Sequence, residues 1–490
     1  MDRRILDLIG PIPRAFLGVA ALLSSVALVV ACGSSPETAE LPAPDPQVSE
    51  SPAEPDGSGF DPPTARALTA EALAKLEEDP AGAASLLDRA LQARPNYLDP
   101  LLLKARLATR EGRKQEALDR LETIAAMRID LPFEKDPGLE PLHGEARFDA
   151  LVGTTVEPRV GSAPAFDLQT LDADLIPESV AYDPVSRRYF LSSVHQRKIV
   201  TFGADGDPAP QDFLVDDAES PVFAVLGMAV DAPGRILWAV SCPLPQMRSY
   251  DSQEPESGEL LGIDLEDGSL RRLVPPAVDG PVRLNDVTVG ADGTVYTSST
   301  EPPGRLFRAA GRSPAAALEP FGEPGLRSPQ GLALSADSKI LFVADYSYGI
   351  AAHDTATGRR TWLRPPEGYF LSGIDGLTRV GDALVAIQNG IRPHRVLRLH
   401  PVLHPDLSQG RFDRADILDM GLPSYSEPTL GTWVPDEGSD DGAHSGRFIY
   451  VANSQWDRFD AENRLPDPSE LRPPLLLALP LAVPSPATGG

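Results

Sequence analysis

Leu326-Arg-Ser-Pro-Gln-Gly-Leu-Ala-Leu-Ser-Ala-Asp-Ser-Lys-Ile-Leu-Phe-Val-Ala-Asp345 is the stretch from which the fold is read. After Gly331, apolar and small residues alternate through Leu332, Ala333 and Leu334. A polar Ser-Ala-Asp-Ser turn follows, and Ile340 to Ala344 is rich in β-formers, so the segment reads as two antiparallel strands joined by a tight turn. The pattern recurs from Glu178 to Ser192, Leu226 to Val240, Asn285 to Ser298 and Asp375 to Ile387, with a looser copy from Glu427 to Asn453. A period of roughly 45 to 55 residues with strands throughout is the pattern of a β-propeller, one repeat per blade. The expected fold is therefore mainly β, a six-bladed β-propeller over residues 165–483 with a short tail at 484–490. Runs such as Leu260 to Leu273 and Gly349 to Leu363 supply the outer hairpins, and Leu475 to Leu479 reads as an outer strand of the sixth blade. Phe166 to Leu171, ahead of the first repeat, is expected to close the ring by pairing with the far end of the chain, which leaves no long open edge.

The N-terminal region has a different character. Arg3 and Arg4 precede an apolar run from Ala15 to Val30, which ends Val-Val-Ala-Cys32-Gly. The order of charged start, apolar core, small residues and cysteine resembles a bacterial lipoprotein signal. That resemblance implies a diacylated Cys32 as membrane anchor and a cell-envelope location; an ordinary secretory signal or a membrane helix are the other readings. Residues 33–62 are rich in Pro, Ser and acidic residues and have no helical or strand period, as expected of a disordered tether.

From 63 to 155 the apolar spacing turns helical. Leu68, Leu73 and Leu76, then Ala84 to Leu91, Leu101 to Ala108 and Ala117 to Ile124 recur at three- and four-residue steps, with breaks at Pro80, Pro95 and Gly112. Four helices with small residues at the crossings resemble tetratricopeptide repeats. Two such repeats are few for a stacked array, so Leu139 to Val152 is expected to cap them. The module reads either as a docking surface for a protein partner or as a spacer packed on the propeller.

Composition narrows the function. Across 490 residues the formal net charge is −27, and Lys and Arg form no cluster, which argues against nucleic acid as a ligand. The acidity favours solubility. No Gly-x-Ser-x-Gly elbow, His-Glu-x-x-His helix or phosphate-binding glycine loop is present. Cys242, the second of two cysteines, follows an apolar strand and reads as a buried thiol. His394, His400 and His404 read as edge or loop residues and not ligands, the acidic run from Asp436 to Asp441 as a solvated loop before a calcium site, and Trp433, Trp456 and Phe459 as blade packing before the lining of a ligand mouth.

Alignment of the repeats on their small residue places Glu178, Leu226, Asn285, Gln330 and Asp375 at one position, with Glu427 or Pro428 as the sixth. On the innermost strand of each blade that position faces the central channel, so oxygen donors would converge there on a hard divalent cation; the other reading is a merely wet channel. Pro177-Glu178-Ser-Val, Leu284-Asn285-Asp-Val, Ser-Pro-Gln330-Gly-Leu-Ala and Ile-Asp375-Gly-Leu resemble the gluconolactonase, regucalcin and senescence-marker-protein family of six-bladed propellers. The resemblance implies that Glu178, Gln330 and Asp375 hold a divalent metal (calcium, magnesium, manganese or zinc) and that Asn285 contacts a small-molecule substrate in the channel. It implies Asp375 as general base in the hydrolysis of a lactone or related ester. Gln330 departs from the family's asparagine by one methylene, and a shift of an ångström at a reacting centre can cost about a hundredfold in rate. A non-catalytic scaffold that binds a ligand or protein is the rival reading, and a metal that only stiffens the ring is a third.

Overall fold

Each copy of the repeat folds as the inner hairpin of a four-stranded antiparallel blade, and six blades follow in chain order. The computed structural model describes residues 59–153, 156–204, 209–217, 220–436 and 445–482. Cys32, the tether up to 58, most of the acidic loop after Asp436 and the tail lie outside the described residues. The inner strands are Val180–Asp183, Ala224–Asp231, Leu284–Val289, Pro329–Leu334, Ile374–Val380 and Gly431–Pro435. Each packs against the next, and the sixth returns to the first, so they form a ring. Blades four and five also join at their outer edges, where Leu363 pairs with Gly410 and Arg364 with Arg411 in parallel.

Alternation along the strands buries apolar side chains on both faces of each blade. Trp238, Val240 and Leu260 of blade two, for example, share a core with Val287, Val295 and Phe307 of blade three. The ring closes as expected, with a strand from the N-terminal side of the propeller, but that strand is Ala163–Pro164, paired with Ala478 and Leu477, and not Phe166 to Leu171. Phe166 instead lays its ring 4.7 Å from Tyr189 and 5.0 Å from Phe202, and Leu168 is buried in the same cluster. Aromatic burial fixes that segment inside blade one, which leaves pairing to the two residues ahead of it.

The helical region consists of α1 (Pro62–Lys75), α2 (Pro80–Ala93), α3 (Leu98–Arg110), α4 (Lys114–Ala126) and the short α5 (Ala146–Val152). Asp61 and Asp79 cap α1 and α2, each accepting a backbone N–H with proline as the next residue. Ala65, Ala105 and Ala117 are fully buried at the crossings, where their size lets the helices approach. Leu139, Leu142 and Phe148 cover the open side of the second pair. The remaining apolar surface is covered by the propeller: Phe370 and Ile391, from loops of blades four and five, sit in the helical core. No helix among the described residues is long and apolar enough to cross a membrane.

Candidate functional site

The position that the repeats align is a β-bulge in four of the blades. Pairing with the second strand slips between Val225 and Met228, Leu284 and Val287, Pro329 and Leu332, and Ile374 and Leu377. The unpaired residues are Leu226-Gly227, Asn285-Asp286, Gln330-Gly331 and Asp375-Gly376. A bulge bends its strand and re-aims a side chain, which is how an inner strand presents a polar residue off its regular face. The second residue of each pair seats the next blade. A Cβ on Gly331 would lie 2.4 Å from the Asp375 carbonyl oxygen, and one on Gly376 2.4 Å from that of Thr429, so only glycine fits. Where that residue is not glycine it hydrogen-bonds instead. Asp286 Oδ2 accepts from Leu332 N at 2.9 Å, and Ser179 Oγ accepts from Met228 N at 3.2 Å. Between the last and first blades, Thr429 Oγ1 donates to the Glu178 carbonyl at 2.7 Å.

Of the residues expected at the site, Glu178, Gln330 and Asp375 are buried and Asn285 is half-buried. Asn285 Nδ2 donates to Gln330 Oε1 at 2.7 Å, so the two carboxamides form a pair. Asn389 Nδ2 donates to Asp375 Oδ2 at 2.7 Å, and Tyr346 Oη donates to Asn389 Oδ1 at 3.1 Å. Trp456 Nε1 donates to Glu178 Oε2 at 2.6 Å. Glu427, ahead of the sixth inner strand, is buried, and its carboxyl acts on both Glu178 and Tyr346, while the sixth backbone position equivalent to Asp375 is Thr429, whose carbonyl faces Gly376.

Among the described residues, no ion pair neutralises Glu178, Asp375 or Glu427. Burial, and then the Asp375 charge, hold the Glu178 carboxyl well above its usual range. Burial raises Asp375 to about 6 against the bond from Asn389, and raises Asp286 to about 7 and Glu427 to about 8. Arg392 acts the other way on Glu427. Among the described residues no three Asp, Glu, His or Cys side chains converge closely enough to hold a metal by themselves. A cation here would rest on the carboxylates of Glu178 and Asp375 and on carboxamide oxygen from Gln330, whose carbonyl keeps a lone pair beside the Asn285 bond. That all-oxygen donor set, short of positive charge, fits a hard cation completed by water.

Asn389, Tyr346, Arg392 and Asp286 were not singled out for the site from sequence, whereas Trp456 was read as either blade packing or the lining of a ligand mouth. Asn389 and Tyr346 each follow the last residue of a second strand, Gln388 or Asp345. Alignment of the repeats at that end as well as at the small residue would have found them. Trp456 stands in a short turn, Trp456–Arg458, that reaches the channel from blade six, so it is a site neighbour as well as a packing residue. His394 is buried, not at an edge, because its loop folds under the helical module. His400 lies on the strand Arg395–Leu403 beside Asp416, and His404 is exposed and bonded to Asp406 at 2.5 Å. Cys242 is fully buried, and burial lifts its thiol to about 12, so it is inert.

Residues 74–128 match the tetratricopeptide repeat family model. No curated protein sequence matches the chain. Solved structures similar to it include a gluconolactonase from Xanthomonas campestris (17% identity, 66% of this chain and 99% of that one, TM-score 0.40). Others are the calcium-binding protein regucalcin from Agrobacterium tumefaciens (12%, 65% and 93%, 0.40) and the major Malassezia sympodialis allergen Mala s 1 (12%, 66% and 96%, 0.43).

Proposed function

We propose that the channel is a divalent-cation site at which a lactone or related ester is hydrolysed. The observation that carries this reading is the set of buried, mutually repelling carboxylates around Asp375, which no ion pair among the described residues neutralises. A bound cation would supply that charge and polarise the substrate carbonyl. Asp375, at about 6 and held by Asn389, ionises near neutrality and can take a proton from attacking water. Asn285, half-buried and paired with Gln330, stands where it can orient the substrate. Trp456 Nε1, 2.6 Å from Glu178 Oε2, holds the Glu178 carboxylate in one orientation. We further propose that Cys32 is acylated and anchors the chain at the cell envelope.

The first experiment is a thermal melt of the full chain in chelator, then in calcium, magnesium, manganese or zinc, for the natural sequence and Asp375→Ala. A rise with one ion that the variant loses supports the site and sets the ion for a lactone screen. No rise with any saturating ion counts against it. Loss of labelled fatty-acid incorporation in Cys32→Ala tests the anchor.

A further inference from the structure

The loops that carry Tyr346, Asn389 and Arg392 to the channel are the same loops on which the helical module is docked. Arg94, at the C-terminal end of α2, is buried, and its guanidinium stacks 4.8 Å from the Tyr97 ring and 5.3 Å from the Phe370 ring. It donates to Ser372 Oγ at 2.5 Å and to the Ser347 carbonyl at 3.3 Å. Asn96 Nδ2 donates to the carbonyls of Pro366 and Tyr369. In the other direction the buried Arg395 donates to the Met127 carbonyl at 2.9 Å, at the C-terminal end of α4 where a cation suits the helix dipole, and Asp130 N donates to the Arg392 carbonyl at 2.7 Å.

From Arg94 a continuous set of hydrogen bonds leads to the site. Ser372 Oγ donates to the Ser347 carbonyl, Gly373 N to the Tyr346 carbonyl at 2.7 Å, and Gly390 N to the Gly373 carbonyl at 3.0 Å. Tyr346 Oη then holds Asn389, which holds Asp375. Gly390 leaves no slack, since a Cβ there would lie 2.5 Å from the Gly373 Cα and 2.7 Å from Tyr346 Oη.

We infer that Arg94 and Asn96 are positioning residues for the channel site: by gripping the loops of blades four and five, the helical module fixes where Asn389 and Arg392 stand against Asp375 and Glu427. The repeats thus hold their own propeller as a ligand. This rests on the reading of the channel as an ion site.

The test is calcium titration of the full chain by calorimetry, with hydrogen exchange followed at the amides of residues 388–395. Arg94→Met keeps the stem over the two rings and removes the donors; Asn96→Ala removes two more, and serves alone if Arg94→Met does not fold. The expected result is at least five-fold weaker calcium binding and faster exchange in both, with partial recovery in Arg94→Lys, which can still reach Ser372 Oγ. A merely structural role lowers the melting temperature and leaves the calcium affinity of the folded variants at the natural value; that result, or unchanged exchange at 388–395, overturns the inference. A natural chain that takes up none of calcium, magnesium, manganese and zinc sinks the ion-site reading instead, and exchange at 388–395 then decides the inference by itself.

Discussion

The two ends of the inner strands treat a buried carboxylate in opposite ways. At the end away from the bulges, Asp183 is fully buried and fully served: Arg235 Nη1 reaches both oxygens at 2.8 and 2.9 Å, and Ser186 and Val185 add donors. Asp231 is held likewise by Arg312, at 2.7 and 2.8 Å. Although burial works against its ionised form, these donors hold the Asp183 carboxyl below its usual range. At the bulge end, Glu178, Asp375 and Glu427 are as buried, have one or two weak partners each, and are held above theirs. The first set clips blade to blade and is complete. The second is incomplete, and the proposed cation would supply the charge it lacks.

The largest effect that would break this comparison is on stability. Asp183→Ala strands the Arg235 guanidinium and the turn donors in a buried place, and should lower unfolding free energy by about 3–5 kcal/mol. Asp375→Asn in chelator removes an unpaired buried charge and should change it by less than about 1 kcal/mol or raise it. Urea unfolding at pH 8 measures both. Equal losses in the two variants would make Asp375 one more structural clip.

Dependence on pH sharpens the same contrast. Glu427 is raised to about 8 in the folded chain, so between its ordinary range and pH 8 the folded state holds a proton that the unfolded state has released. Its contribution to stability is therefore retained at acid pH and lost as pH rises through about 8. Glu427→Gln removes that dependence. In chelator its unfolding curve should coincide with the natural one near pH 4, and it should be more stable by roughly 1–3 kcal/mol at pH 9. A variant that is less stable at high pH would show that Glu427 is already neutralised.

The propeller was legible because each blade repeats one local pattern, and four of the five clear copies put a small residue at the same point, the third having Asp286 there. The ring position was legible for the same reason, although the bulge that creates it was not: a slip of pairing leaves no compositional mark beyond the glycine at Gly227, Gly331 and Gly376. Asn389 and Tyr346 were missed because they stand just past the second strands, away from the small residue on which the repeats align, and Trp456 stayed between packing and ligand mouth because its turn lies outside the repeat. The docking of the helices was hidden for another physical reason. Nothing in the sequence marks Arg94 and Arg395 as buried, yet carbonyl groups from distant loops surround them, and burial above all takes each guanidinium down to about 10.

The smallest effect concerns Trp456, the one donor that favours the ionised form of Glu178. Trp456→Phe keeps a ring and its packing near Phe459, but removes the N–H that lies 2.6 Å from Glu178 Oε2. Without a cation burial favours the neutral form of Glu178, so the bond then acts on an acid that carries less charge and its loss should cost little, about 0.5–1 kcal/mol. With a cation bound Glu178 must ionise, and the lost donor then acts on a charged group, where a hydrogen bond is worth about 1.5–3 kcal/mol. The variant should therefore be nearly as stable as the natural chain in chelator, yet gain less from the ion, with an affinity lower by about ten-fold. Melts with and without the ion separate the two terms, and an equal loss in both conditions would mean that Glu178 does not change charge when the site fills.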